Sequence, residues 1–194
     1  LVMKKLFLVF ISIIFTIVTF AQKLDSTALI IIDIQDFYFP GGAVELDEPV
    51  KASEKAKILL NHFRKNNNLV VHVRHNFEPG GNIHELVKPI EGEKIISKDE
   101  VNAFLNTDLN EYLKKNNIKE VILCGMQTQM CLKAGTRAAH DFGYKWTVVE
   151  DACTTRNISF GEHIISSKDV HYSTLATLKS YAKIVTLIDF LQEE

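Results

Sequence analysis

Short apolar runs alternate along the chain with longer stretches in which apolar residues recur every three or four positions. Continuous β-branched runs are typical of strands buried on both faces of a parallel sheet, whereas the longer spacing predicts amphipathic helices packed against it. The pattern predicts five strands, at 28–32, 69–73, 120–124, 146–149 and 183–186. It predicts helices at 50–65, 107–116, 129–142, 170–181 and 188–191.

This alternation of strand and helix predicts an α/β fold, a parallel sheet in a three-layer Rossmann-like arrangement with helices on both faces. In such sheets, ligands bind beyond the carboxyl ends of the strands. Asp33, Gly125 and Asp151 each follow a predicted strand. We therefore expect these three residues at one edge of the sheet.

The N-terminal segment has a different composition. Met3-Lys4-Lys5 precedes an uncharged apolar run that ends at Phe20-Ala21 and is shorter than the roughly 20 residues a spanning helix needs. This pattern predicts a secretory signal peptide at 3–21, followed by one globular domain at 25–194. We expect an exported protein, periplasmic or secreted, with no membrane attachment after cleavage; an uncleaved N-terminal anchor is the alternative.

Composition restricts the class of protein further. The chain is 46% hydrophobic and 24% charged, with a formal net charge of -2, so it fits one globular domain and has no basic stripe for nucleic acid. Its three cysteines, Cys124, Cys131 and Cys153, cannot all pair with one another. Cys124 and Cys153 lie near the ends of predicted strands, which leaves open either a disulfide or two buried thiols.

The segment around Cys131 carries the strongest chemical signal. A strand, a glycine-containing turn and the start of a helix place Cys131 where exposed N–H groups and the helix dipole stabilise a thiolate. The backbone N–H groups of Gln127 and Cys131 could then receive the oxyanion that forms when a thiolate attacks a carbonyl. On spacing alone, however, a cysteine in an early helical turn is more often a core residue than a nucleophile.

The residues from Gly125 to Cys131 resemble the Gly-x-x-Thr-x-x-Cys signature of the isochorismatase-like superfamily, cysteine hydrolases related to nicotinamidases. The resemblance covers nearly all of the chain after the N-terminal segment. Its other motifs are Asp33-Ile34-Gln35, Lys98 followed by Asn102-Ala103-Phe104, Thr107-Asp108-Leu109, Asp151-Ala152, and His171 in a late helix. It implies a hydrolase with a six-stranded parallel sheet.

The resemblance also implies a catalytic triad of Asp33, Lys98 and Cys131. Asp33 would act as the general base toward the thiol and then as the acid toward the leaving group, while Lys98 would favour the thiolate. It further implies a cis peptide bond between Met126 and Gln127. The alternative is a buried Asp33–Lys98 ion pair with Cys131 merely nearby.

Residues beside the expected nucleophile are candidates for binding the substrate. Phe37 and Phe104 could form an aromatic wall for a small planar molecule, although core packing explains each ring equally well. Gln127 could reach into the pocket or face solvent. His75, expected beyond the end of the second strand, could line the pocket or lie on the surface.

A metal centre is not expected. Nicotinamidase-type relatives carry an Asp-x-His pair that this chain lacks, and His72 and His75 leave opposite faces of a continuing strand. Asp151 and Arg156 are expected to form a structural pair.

The resulting hypothesis is a cofactor-independent hydrolase that cleaves a carbon–nitrogen bond of a small amide through a thioester on Cys131. The alternatives are vinyl-ether hydrolysis of the isochorismatase type and a catalytically silent exported binding module. The expected partners are a small-molecule substrate and, because relatives commonly assemble, further copies of the same chain.

Overall fold

Six parallel strands form the central sheet of the structure, a computed structural model that describes residues 26–193. The predicted signal peptide and its alternative, the anchor, lie outside these residues. The strands of the sheet are β1 (Thr27–Ile32), β2 (Leu69–His75), β3 (Lys94–Lys98), β4 (Glu120–Met126), β5 (Lys145–Thr154) and β8 (Lys183–Val185). Their spatial order is β3-β2-β1-β4-β5-β8.

Helices flank this sheet in the three-layer α/β arrangement that the sequence predicts. The helices are α1 (Pro49–Lys65), α2 (Leu109–Lys115), α3 (Lys133–Asp141), α4 (Ser167–Leu178) and α5 (Leu187–Glu193). One layer includes α1 and α5, whose Phe63 and Phe190 rings stack with their centroids 6.2 Å apart. Gly135 of α3 lies against Ile32 of β1. None of the helices in the described part of the chain has the length and apolar character needed to cross a membrane.

The edge strand β3 was not located by the hydrophobic pattern. Only Ile95 and Ile96 are apolar within Lys94–Lys98, and Ile95 faces solvent while Ile96 is buried. The strand pairs in parallel with β2, so that Lys98 lies opposite His75. The strand β3 thus places Lys98 at the carboxyl edge of the sheet.

Several predicted boundaries differ from the structure. The second strand continues through His75 instead of ending at Val73, and β5 extends to Thr154 after a shift in its register with β4. The helix predicted at 129–142 begins instead with a π-helical turn, Thr128–Leu132, which leads into α3. These changes are concentrated near the carboxyl ends of the strands, where local interactions interrupt the regular hydrophobic period.

A separate two-stranded hairpin extends from the end of β5. Its strands are β6 (Ile158–Phe160) and β7 (His163–Ile165), which pair antiparallel with each other and not with the central sheet. The side chains of Phe160 and Ile164 are 81% and 78% exposed. The sequence pattern did not predict this hairpin.

Candidate active site

Three segments bring Asp33, Lys98 and Cys131 together at the carboxyl edge of the sheet. Asp33 follows β1 directly, Lys98 is the last residue of β3, and Cys131 lies in the turn after β4. The backbone of Asp33 has a φ of 50°, a conformation that is uncommon for residues other than glycine. Its N–H donates to the carbonyl of Val73 at 2.9 Å, which fixes the carboxylate at the strand end.

The Lys98 ammonium is the centre of this group. Its Nζ lies 2.8 Å from Asp33 Oδ2, 3.1 Å from His75 Nδ1 and 3.3 Å from Cys131 Sγ. An ammonium has three N–H donors; His75 Nδ1 and Cys131 Sγ lie in hydrogen-bond geometry, whereas the contact with Asp33 Oδ2 is an ion pair without it. The Lys98 and Asp33 side chains are both 0% exposed, so this ion pair lies out of contact with bulk water in the resting site.

Burial keeps the resting thiol protonated. It raises the pKa of Cys131 to about 12, and the negative charge of Asp33 adds to this effect while Lys98 opposes it. Burial also raises the pKa of Asp33, against the lowering effects of Lys98 and of the Cys131 hydrogen bond. Asp33 Oδ1 has no other side-chain or backbone partner of good geometry within the described chain. The carboxylate therefore has an oxygen available to take the thiol proton.

The turn between β4 and α3 depends on Gly125. Its φ is 124°, and a Cβ at this position would lie 2.0 Å from the Ile32 carbonyl oxygen, so no other residue fits. One residue further along, the Met126–Gln127 peptide bond is cis, at the position expected. The Gln127 carbonyl accepts hydrogen bonds from the N–H groups of Met130 and Leu132, at 3.0 and 3.3 Å. These bonds close the turn that contains Cys131.

The Gln127 side chain is buried, with 4% of its surface exposed. Its Nε2 donates to the Tyr38 hydroxyl at 3.4 Å, and its Oε1 accepts from Gln129 Nε2 at 3.1 Å. Gln129 in turn accepts from the Thr155 hydroxyl at 2.5 Å. The solvent-facing alternative for Gln127 is therefore wrong, because its amide joins a polar chain that links the turn to the loop after β1.

The two predicted aromatic residues lie in different surroundings. Phe37 packs against Tyr38 and Phe77, with ring centroids at 4.2 and 4.5 Å. Since Tyr38 contacts Gln127, this group borders the turn that carries Cys131. Phe104 instead contacts Phe142 and Tyr144, beyond the opposite end of α3 and just before β5 begins. Its contacts favour core packing over the predicted substrate wall.

The two histidines of β2 point to different partners. His72 is buried and its Nε2 lies 2.8 Å from Glu93 Oε2, whereas His75 contacts Lys98. Thus His75 lies within the strand rather than beyond it, and it joins the predicted catalytic group. Burial, and then the Lys98 charge, lower its pKa, which favours the neutral ring that accepts a hydrogen bond from Lys98.

Sequence reasoning missed one cluster with metal-ligand chemistry. Potential ligand atoms of Asp33, His75 and Cys131 all lie within 4.8 Å of one another. However, the Lys98 ammonium contacts all three residues, and a divalent ion there would meet a like charge at short range. The expectation that no metal is needed stays a prediction.

Neither the expected Asp151–Arg156 pair nor the disulfide left open for Cys124 and Cys153 is present among the described residues. The Asp151 carboxylate lies 3.4 Å from Lys55 Nζ and accepts from the Leu187 N–H at 2.7 Å, so its ion-pair partner is Lys55 and not Arg156. Cys124 and Cys153 are buried free thiols. Of the two alternatives, the structure thus has two buried thiols and not a disulfide.

Sequence and structure comparisons identify the family of the chain. Residues 27–186 match the isochorismatase domain family, and the chain belongs to that family. An uncharacterized isochorismatase family protein of Bacillus subtilis, YddQ, is 42% identical over 179 residues, which cover 86% of this chain and 99% of that protein. The maleamate amidohydrolase of Pseudomonas putida is 28% identical over 192 residues, covering 86% and 85% of the two chains.

A solved structure supports the same assignment. The isochorismatase from Pseudomonas putida KT2440 superposes with a TM-score of 0.81 at 32% identity, covering 86% of this chain and 91% of that chain. The chain is thus an isochorismatase-family hydrolase with the three-layer α/β fold.

Proposed function

We propose that the chain is a cysteine amidohydrolase in which Cys131 attacks the carbonyl carbon of a small amide. The observation that carries this proposal is the position of Lys98, whose ammonium contacts both the Cys131 sulfur and the Asp33 carboxylate in a buried site. A nucleophile, a base and a cation that neutralises the base are the groups that acyl transfer through a thioester requires.

In the first half-reaction, the thiol proton moves to Asp33 as the sulfur–carbon bond forms. A free thiolate is disfavoured because the pKa of Cys131 is raised to about 12, so proton transfer accompanies the attack. The carbonyl oxygen becomes an oxyanion, which the N–H groups of Gln127 and Cys131 would bind. Protonated Asp33 then gives its proton to the amide nitrogen, the carbon–nitrogen bond breaks, and an acyl thioester and an amine remain.

In the second half-reaction, water attacks the thioester carbonyl. Asp33 takes one proton from the water as the carbon–oxygen bond forms, and the second tetrahedral intermediate breaks its carbon–sulfur bond. The departing sulfur takes the proton back from Asp33, which releases a carboxylic acid and restores the resting thiol. The Lys98 ammonium keeps its charge throughout and stabilises whichever of its neighbours is anionic.

The site favours a small polar substrate. The Gln127 amide and the Tyr38 hydroxyl meet beside the turn, and Phe37 packs against Tyr38. A planar amide group placed against these residues would have both a hydrogen-bonding and an apolar neighbour. The 28% identity with a maleamate amidohydrolase also supports amide chemistry.

Ammonia release from a panel of small primary amides, with and without a chelator, tests this proposal. We expect turnover of at least one amide, no effect of the chelator, and complete loss of turnover in Cys131→Ala. Cys153→Ala, which removes another buried thiol, is the matched control and should keep its activity. Amide hydrolysis that survives in Cys131→Ala would overturn the proposal, and turnover of isochorismate alone would favour vinyl-ether hydrolysis.

A further inference from the structure

A second series of polar contacts reaches the Cys131 turn from the side of α4. The Thr128 hydroxyl is buried, 3.1 Å from the Thr154 carbonyl oxygen and 2.9 Å from Nδ1 of His171. The Nε2 of His171 lies 3.4 Å from Glu150 Oε2. Thr128, in the π-helical turn, is therefore connected to both β5 and α4.

The protons on the Thr128 hydroxyl and on the His171 ring determine which of these three hydrogen bonds can form at the same time. The Thr128 hydroxyl has one proton and faces two groups that can accept it, the Thr154 carbonyl and an unprotonated His171 Nδ1. If Nδ1 carries a proton, it donates to Thr128, and Thr128 is then free to donate to Thr154. A proton on Nε2 is also needed for a hydrogen bond to Glu150. An imidazolium at position 171 satisfies all three contacts at once.

This connection acts on the residue that follows Gln127. The Gln127 N–H is one of the two proposed oxyanion donors, and the Gln127 carbonyl closes the turn through Met130 and Leu132. A Thr128 hydroxyl bonded on one side to β5 and on the other to α4 restricts the rotation of this short segment. Oxyanion stabilisation depends on donors held in place before the reaction.

We propose that His171 is a positioning residue that, oriented by Glu150, holds Thr128 and so sets the direction of the oxyanion-binding N–H groups. The inference rests on the proposed cysteine chemistry. His171 does not touch the reacting atoms, because its contacts are with Thr128, Glu150 and the neighbouring Tyr172 ring.

Substitution at this position is compatible with folding. His171 borders a cavity of ≈ 480 Å³ between α1, β5 and α4, so a side chain of different shape can be accommodated without repacking the core. His171→Leu removes both polar contacts. His171→Asn places an amide near the position of Nδ1 and retains a donor for Thr128, while it loses the contact with Glu150.

Two reactions of Cys131 separate oxyanion binding from thiol reactivity. In acylation by p-nitrophenyl acetate, the sulfur–acyl bond forms, the thiol proton passes to Asp33, and p-nitrophenolate leaves with the electron pair of the broken ester bond. In alkylation by iodoacetamide, the sulfur–carbon bond forms as the carbon–iodine bond breaks, the thiol proton passes to Asp33, and iodide leaves; no oxyanion forms. The ratio of the two rates at Cys131 therefore measures oxyanion stabilisation.

We expect His171→Leu to slow acylation roughly tenfold to a hundredfold, because small displacements of catalytic groups have effects of this size. Alkylation should change less than about twofold, His171→Asn should recover a large part of the loss, and His163→Leu on the hairpin should change neither rate. Thr128→Val should act like His171→Leu, and the double variant should be no slower than either single variant.

Equal slowing of both reactions by His171→Leu, or full additivity in the double variant, would overturn the positioning role. A different result tests the underlying chemistry. If p-nitrophenyl acetate fails to acylate Cys131 in the unsubstituted protein while iodoacetamide alkylates it, the proposed function is wrong and the inference falls with it.

Discussion

Replacing Lys98 with methionine tests the buried ion pair at the centre of the site. Methionine keeps much of the length and volume of lysine but removes the ammonium. Asp33 and Lys98 are both 0% exposed and lie 2.8 Å apart, so the change leaves a carboxylate buried beside apolar groups. Breaking such a pair typically costs about 3–5 kcal/mol of unfolding free energy, and we expect Lys98→Met to lie in that range.

The loss of stability should depend on pH in a defined direction. Burial already raises the pKa of Asp33 above its ordinary value, and removing Lys98 raises it further. The folded variant therefore binds the Asp33 proton more tightly than the unfolded chain, whose value is about 3.9. Both proteins should lose about 1.4 kcal/mol per pH unit from this group once the pH exceeds the unfolded value, but the unsubstituted protein stops losing stability at its own, lower folded pKa. The deficit of the variant should therefore be smallest near pH 4 and should grow above that pKa until the pH exceeds the folded pKa of the variant.

Equilibrium urea unfolding at pH 4, 6 and 8, followed by the fluorescence of Trp146, measures both effects. Asp33→Asn combined with Lys98→Met removes both charges and should recover most of the stability that the single change loses. A deficit below about 1 kcal/mol at pH 8, or a double variant no more stable than Lys98→Met alone, would show that the Asp33–Lys98 pair does not stabilise the fold in this way.

Three further predictions concern the surroundings of the site. Gly125→Ala should destabilise the fold by at least about 3 kcal/mol because its Cβ would overlap a backbone carbonyl, whereas Gly135→Ala in α3 should change thermal stability by about 1 kcal/mol or less. Glu93 is partly buried, which raises its pKa, but hydrogen bonds from an arginine, a backbone N–H and a histidine outweigh burial and lower it from 4.5 to about 2. Its contribution to stability is thus present above pH 4.5 and lost toward pH 2, and urea unfolding of Glu93→Gln should lack that loss. The pKa of His75 is lowered by burial and then by Lys98, so kcat should fall when acid protonates the ring. The glutamine side chain of His75→Gln can accept the same hydrogen bond but does not titrate. A kcat–pH profile of this variant should therefore show a smaller fall at acidic pH.

Hydrophobic periodicity was sufficient to predict most of the sheet. The strand β1 is buried along its whole length, and β4 is buried from its second residue onward, which is the condition under which a continuous apolar run indicates a parallel strand. The edge strand β3 was missed because one of its two isoleucines faces solvent and lysines flank them. Its existence followed only from the family resemblance.

The hydrophobic pattern alone did not predict which residues form the site. The positions of the predicted strand ends indicated that Asp33 and Gly125 lie at the same edge of the sheet. Lys98, however, lies in β3, which the hydrophobic pattern did not predict. The ordered motifs of the family placed Lys98 with Asp33 and Cys131, and the structure brings all three within contact distance. His75 joined them because β2 continues two residues further than predicted.

Contacts between distant elements could not be predicted from local sequence. The pairing of Thr128 with His171 depends on where α4 packs relative to the π-helical turn, and 43 positions separate the two residues. The packing of Phe104 against Phe142 likewise depends on tertiary structure. In each case, several positions for the side chain were compatible with the local pattern.

The central claim is that Cys131 forms a covalent acyl intermediate. Its most direct test is mass spectrometry of the protein after rapid acid quenching during turnover of an amide substrate, with peptide mapping. We expect an added mass equal to the acyl group, confined to the peptide that contains Cys131 and absent from Cys131→Ala. Continued turnover with no adduct under conditions that slow thioester hydrolysis, or an acyl group found on Cys124 or Cys153 instead, would contradict it.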